Sequence, residues 1–233
     1  MVKKSEFINR VLLIMNEAGM TDTQNMSYYG ADNAQIDRSI EGAYPDAWRR
    51  CIKVMPRMWF ANESFIAQNQ IKDIPNGTGY VILPEDFYLL SSFRLSSWKK
   101  SVHEASLENE RTSSIQSNEY TRGSEIRPVC TISIKETETG IKNILNYYSV
   151  KKGFPQTITE AIYVPTVKPL STLGADEDLK LNDQILEPLA YITASTVFTV
   201  LEKYDIAKAL DQRAVEMFPG LQSVKGNIIT TKQ

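Results

Sequence analysis

Apolar residues in the first third of the chain recur at helical spacing, and those in the middle recur at strand spacing. Ser5 is placed to cap a first helix, in which Phe7, Ile8, Val11, Leu12, Ile14 and Met15 form one stripe and Gly19 follows as the C′ residue. Thr21 to Asp32 is polar and reads as a loop. Asp32 or Asn33 can cap a second helix with Ile36, Ile40, Ala43 and Tyr44 on its apolar side. Gly42 and Pro45 predict a kink or restart there, after which Ala47, Trp48, Cys51, Ile52 and Met55 resume the stripe. Pro56 predicts another break, followed by a helical piece through Trp59 and Phe60 to about Gln68.

The stretch YVILPEDFYLLSSFRL, Tyr80 to Leu95, marks the change of period. Tyr80 to Leu83 is a β-branched and aromatic run, and Pro84 ends it because it has no amide hydrogen to give a ladder. Glu85-Asp86 opens a turn, and Phe87, Leu89, Leu90, Phe93 and Leu95 lead back to a buried surface. This is a strand, a proline-led turn and a second strand, expected to dock a β-rich region on a helical one. Trp59, Phe60, Leu83, Pro84 and Phe87 are its structural hinge, with Trp59 and Phe60 expected beneath the Leu83-Pro84 step. A long polar segment at 104–125 reads as a surface loop. Val129–Ile134 and Ile141–Val150 flank a Glu-Thr-Gly turn and predict a hairpin, and Glu160–Val164 predicts one more strand.

Helical spacing returns late. A helix starting near Glu187-Pro188 carries Leu189, Ile192, Thr193, Thr196, Val197, Val200, Leu201 and Tyr204 on one stripe. Its small residues Ala190, Ala194 and Ser195 let a neighbour approach closely. As a buried stripe member, Leu201 is expected to cost roughly 2–5 kcal/mol when truncated to alanine. Asp205 can cap a last helix, ended by Pro219-Gly220. The fold class expected is α+β, with N- and C-terminal helices in one bundle and an antiparallel β-rich region inserted. The helical core spans 1–75 and 183–220, the β-rich region 76–182, and an extended tail 221–233. Leu221, Ile228 and Ile229 of that tail have no local partner and are expected to contact another subunit.

Composition changes this picture little. The 233 residues are 42% hydrophobic and 23% charged, which suits a soluble globular protein long enough to bury a core. No apolar run spans a bilayer and the start lacks a signal-peptide core, so a soluble protein made in the cytoplasm, without membrane, is expected. The net charge of −2 excludes a bulk electrostatic pull toward nucleic acid. Cys51 and Cys130 read as buried small hydrophobes in a reducing compartment.

Candidate chemistry is sparse. His103 has no ligand-spaced partner for zinc, and no phosphate-binding, nucleophile-elbow or metalloprotease motif occurs. Glu85-Asp86 is an imaginable carboxylate pair for a small hydrolase, but adjacent residues point apart. Asp176-Glu177-Asp178 lacks the glycine and spaced ligands of a calcium loop. The basic pairs Lys3-Lys4, Arg49-Arg50, Lys99-Lys100 and Lys151-Lys152 are scattered, and only if gathered on one face would they make a nucleic-acid-binding module. The expectation is no catalytic residue, no metal and no cofactor.

Three stretches, in order, carry a resemblance. YPDAWRRCIKVMPRMWFANES (Tyr44–Ser64) has a helix followed by a W-F-A signature, VILPEDFYLL (Val81–Leu90) an LP-x-DF-x-x-L step, and LEPLAYITASTVFTVLEKYDIAKALDQRAVEMF (Leu186–Phe218) a pair of closing helices. Together they resemble the head-to-tail connector family of short-tailed bacteriophages, the adaptor, ring or tail tubular proteins, including those of crAss-like phages. The β region from about Trp98 to Thr172 is unmatched, and the 104–125 loop departs from the family. The resemblance implies a non-enzymatic virion protein at the portal–tail junction. Copies would form a homo-oligomeric, dodecameric ring between the portal protein and a tail or second ring protein, with DNA passing through the lumen without specific binding.

Overall fold

The structure, a computed structural model, describes residues 2–19, 34–66, 77–137, 140–148, 150 and 156–217. It is mixed α+β. Its helices are α1 (Lys4–Gly19), α2 (Ala34–Val54), α3 (Glu110–Ser117), α4 (Asp183–Val200) and α5 (Tyr204–Glu216). Its strands are β1 (Glu63–Ser64), β2 (Gly79–Ile82), β3 (Phe87–Leu95), β4 (Ser106–Leu107), β5 (Cys130–Thr137), β6 (Gly140–Tyr147) and β7 (Ile158–Pro165). The chain divides into two compact units, Met1–Ala61 with Val167–Gln233, and Asn62–Thr166. The hydrophobic pattern of the sequence predicts these divisions at 75/76 and 182/183. No helix among the described residues is long and apolar enough to cross a membrane.

The first unit is organised by α4, whose Ile185, Pro188 to Ser195, Val197 and Phe198 are buried on nearly every side. Helices α1, α2 and α5 pack against it. Phe7 of α1 meets Tyr44 of α2 edge-on, with ring centroids 5.2 Å apart. The small residues of α4 allow α5 to come close enough for Ser195 Oγ to donate to the Ala207 carbonyl at 2.9 Å. Ion pairs Lys4–Glu41 at 2.7 Å and Arg50–Asp211 at 2.8 Å, and a bidentate Arg10–Glu187 pair, join the helices at their polar margins. Backbone bonds from Lys4 N to Glu177 O at 3.0 Å and from Leu179 N to Val2 O at 2.9 Å tie the start of the chain to the segment that leads into α4.

The second unit has two sheets sharing one core. Strand order is β1-β7-β3 in one and β2-β6-β5-β4 in the other, antiparallel throughout except the short β4–β5 pair. Phe65, Leu90, Phe93, Leu95, Ala161 and Tyr163 from the first sheet's side meet Val81, Cys130, Leu145 and Tyr147 from the second, with Trp98 and Val102. Register shifts interrupt β3, so its buried positions do not simply alternate.

Several sequence expectations are corrected here. Pro45 does not restart α2, which runs unbroken from Ala34 to Val54. Ile40, Tyr44, Ala47, Trp48 and Cys51 are buried on both sides of it, and that packing outweighs a proline penalty of about 3 kcal/mol. The segment after Pro56 is a short 3-10 turn, Arg57–Trp59, and then Glu63-Ser64 pair with β7 instead of continuing a helix. The polar 104–125 segment is not all loop. It holds β4 and α3, the latter closed at its start by a capping box between Asn109 and Thr112. α1 begins at Lys4, which puts Ser5 inside it. α4 begins at Asp183 under an Asn182 cap, with Pro188 inside the helix, and α5 follows Lys203, not an Asp205 cap. Leu221, Ile228 and Ile229 lie outside the described residues, as do Gln68, Asp32 and Asn33.

Leu201 is also misplaced by periodicity. α4 ends at Val200, and Leu201 sits at the cap 44% exposed. Bonds from Lys203 N to Phe198 O at 2.9 Å and Glu202 N to Thr199 O at 3.1 Å close the helix as a Schellman motif, with Glu202 at φ +62 where glycine is favoured. Leu189→Ala, at a fully buried position, is expected to cost about 2–5 kcal/mol, while Leu201→Ala costs only about 0.5 kcal/mol. Urea unfolding of both variants checks this, and equal losses would contradict it. By the same method Glu202→Gly is expected to stabilise the chain by about 1 kcal/mol, because glycine occupies the left-handed region without a Cβ clash. A loss of stability would show that this side chain holds the corner by contacts that outweigh the strain.

Candidate functional site

The Pro84 step carries the chain from one sheet to the other within the β-rich unit, since β2 pairs with β6 whereas β3 pairs with β7. Leu83 N donates to Asn143 O at 2.9 Å, and Phe87 N to Pro84 O at 3.1 Å closes the turn. The two acids of the turn go different ways. Glu85 accepts from Lys142 Nζ at 2.8 Å, on β6. Asp86 Oδ1 accepts from Tyr163 Oη at 2.9 Å, on β7, and its carbonyl takes the Thr166 amide at 2.7 Å.

The electrostatics follow from these partners. Lys142 holds the exposed Glu85 carboxyl below the usual range, opposite to what a general acid needs. Burial, and then the hydrogen bond to Asp86, pushes the Tyr163 phenol well up, so at neutral pH it is a proton-holding donor. Its hydroxyl also lies 3.3 Å from Glu63 Oε2, and its ring stacks on Phe87 with centroids 5.8 Å apart. The carboxylates that converge are therefore Glu63 and Asp86 on Tyr163. No sequence motif links them, because the sheet brings together residues 100 and 77 positions apart. The only clue was a tyrosine in an apolar strand, whose hydroxyl must find a partner when buried.

Each of the other hinge residues has surroundings within its own unit. Phe60 is buried in the helical unit against Trp48, with centroids 5.9 Å apart, and Trp59 is half-buried. Leu83 belongs to the core of the β-rich unit, and Pro84 is half-buried. His103 Nδ1 lies 2.9 Å from the Ser91 carbonyl, which can only accept, so that nitrogen carries the hydrogen. Ser101 donates to Glu160 at 2.7 Å and lowers its carboxyl. The Asp176–Asp178 acids line the docking point of the chain's start. Asp176 pairs with Lys3 at 3.3 Å, and Glu177 accepts from Gly174 N at 3.2 Å. Among the described residues no group of three His, Cys, Asp or Glu side chains converges as a metal site.

No protein-family model and no curated protein sequence matches this chain.

Burial sets the pH behaviour of the two cores. It pushes Cys51 and Tyr147 up to about 12, and raises Tyr44, Cys130 and Tyr163 as well. A group held protonated in the fold contributes stability in full below its unfolded pKa and loses it as pH rises. With ordinary values of 9.0 for the thiols and 10.0 for the phenols, the losses begin near pH 9. Each group costs up to about 1.4 kcal/mol per pH unit beyond its unfolded pKa. The melting temperature is expected to be level from about pH 7 to 8.5 and to fall steeply above. A level profile through pH 11 would refute this account.

Proposed function

We propose that this chain is a structural virion protein, a head-to-tail adaptor of a short-tailed bacteriophage. In this reading copies form a dodecameric ring that joins the portal protein to a tail or second ring protein and continues the DNA channel. The observation that carries it is the ordered series of three stretches, Tyr44–Ser64, Val81–Leu90 and Leu186–Phe218, that resemble that family. The helices of both chain ends make one bundle, and the β-rich segment is an insertion in it. The resembling stretches supply packing, not chemistry: Trp48 and Phe60, the Leu83 step, and the buried length of α4.

Two further observations support a structural over a catalytic or nucleic-acid-binding role. Glu85 and Asp86 are each held by a neighbour, Lys142 and Tyr163. Of the basic pairs, Arg49 meets Asp46 at 2.7 Å and Arg50 meets Asp211, while Lys3 and Lys4 meet Asp176 and Glu41. Those cations are matched within the chain, which suits a wall past which DNA slides instead of one that grips phosphates.

Mass photometry of the purified chain, alone and with its cognate portal protein, tests the proposal. The expected result is a ring of copies on the portal and no retention of duplex DNA at physiological salt. A chain that ignores the portal, or that binds DNA with a steep salt dependence, would overturn it.

A further inference from the structure

The chain passes from one compact unit to the other at Ala61–Asn62 and returns at Thr166–Val167. Both passages are short and anchored on each side. Phe60 is buried against Trp48 in the helical unit, and Phe65 is fully buried beside Phe93 and Tyr163 in the β-rich one, so only Ala61 to Ser64 lie between the anchors. On the return, Tyr163 and Val164 are buried in the β-rich unit. Leu170 is fully buried in the 3-10 turn Leu170–Thr172, which packs on α2.

Within the β-rich unit the entering and leaving segments are held side by side. β1 pairs antiparallel with β7, Glu63 opposite Tyr163 and Ser64 opposite Ile162, and Phe65 N donates to Ala161 O at 3.0 Å. An insert whose two ends are neighbours can occupy a loop of another unit without straining it. The apolar cluster of this insert runs from Phe65 to Tyr163 and takes its residues from the insert itself. Its span, Asn62–Thr166, is of the size at which single domains fold alone. In the helical unit, α2 precedes the insert and α4 follows it, and the two helices pack on each other directly. An unfolded insert would be a long loop closed by that packing, and closure entropy grows only with the logarithm of loop length.

We infer that the β-rich unit is an autonomous insert, which opens while the helical unit stays folded and stays folded while the helical unit opens. The chain is then a helical carrier with an exchangeable β-rich module, and a function placed on either unit can change without refolding the other. Autonomy of this kind follows from the packing inside each unit and is independent of the adaptor reading.

Amide hydrogen exchange of the full chain, resolved by peptide, tests it, since the slowest amides of a unit report its opening. Leu189→Ala and Leu145→Ala each truncate a fully buried side chain, one in α4 and one in β6. Leu189→Ala is expected to speed the slowest amides of α1, α2, α4 and α5 by about thirtyfold or more, and to leave those of β5, β6 and β7 within about twofold. Leu145→Ala is expected to do the opposite. If Leu189→Ala unfolds the helices outright, the strands must still keep their protection, and the milder pair Ile185→Val and Val81→Ala repeats the comparison at buried positions. A substitution that speeds the other unit's slowest amides by more than about twofold would overturn the inference. So would one that moves neither set, because the two cores would then not govern the openings.

Discussion

The helical unit depends on the burial of α4. A helix that is apolar on nearly every side cannot lie on a surface, and must be covered all round. Its own neighbour in sequence, α5, covers one side. The remaining sides are covered by α1 and α2, more than a hundred residues earlier in the chain. Charged residues then settle the register of this packing without supplying most of its energy, because the ion pairs at its margins are partly exposed and weak for that reason. The bonds between the first residues and 175–179 lie beside the same helix, where they fix the approach to its Asn182 cap.

The β-rich unit solves a different problem. Neither of its sheets is large, and each needs the other's apolar face. Phe93 of β3 is the meeting point, with Phe65, Trp98 and Tyr147 all within 6.2 Å of its ring centroid. Pro84 lets one continuous segment serve both sheets, because the strand has to stop where its amide is missing. Glu85 and Asp86 then anchor the crossing to each sheet in turn, through Lys142 and Tyr163.

Periodicity made the long elements legible. The stripes of α1, α2 and α4 were readable because their neighbours cover the same positions that helical spacing selects, and the β5–β6 hairpin because a Glu-Thr-Gly turn separates two β-prone runs. What escaped has a physical cause in each case. Glu63-Ser64 is too short to alternate, and it is a strand only because β7 lies beside it. α3 is poor in apolar residues and is nucleated by its capping box. Leu201 continues a stripe that the helix itself does not continue. Of the candidate site residues, Leu83, expected as a hinge residue, lies in the core of the β-rich unit. Glu85-Asp86 suggested a pair that the sheets pull apart, and the convergence of Glu63 and Asp86 on Tyr163 exists only through pairing of distant strands.

Trp98 has a consequence for observing this molecule. It is the one tryptophan of the β-rich unit, fully buried against Phe93, and its indole nitrogen has no hydrogen-bond partner among the described residues. Trp48 and Trp59 belong to the helical unit. An indole in so dry a setting emits at short wavelength and shifts to the red when water reaches it. Replacing Trp48 and Trp59 with phenylalanine leaves a chain whose fluorescence comes from the two-sheet core alone, so that its opening is visible separately from that of the helices.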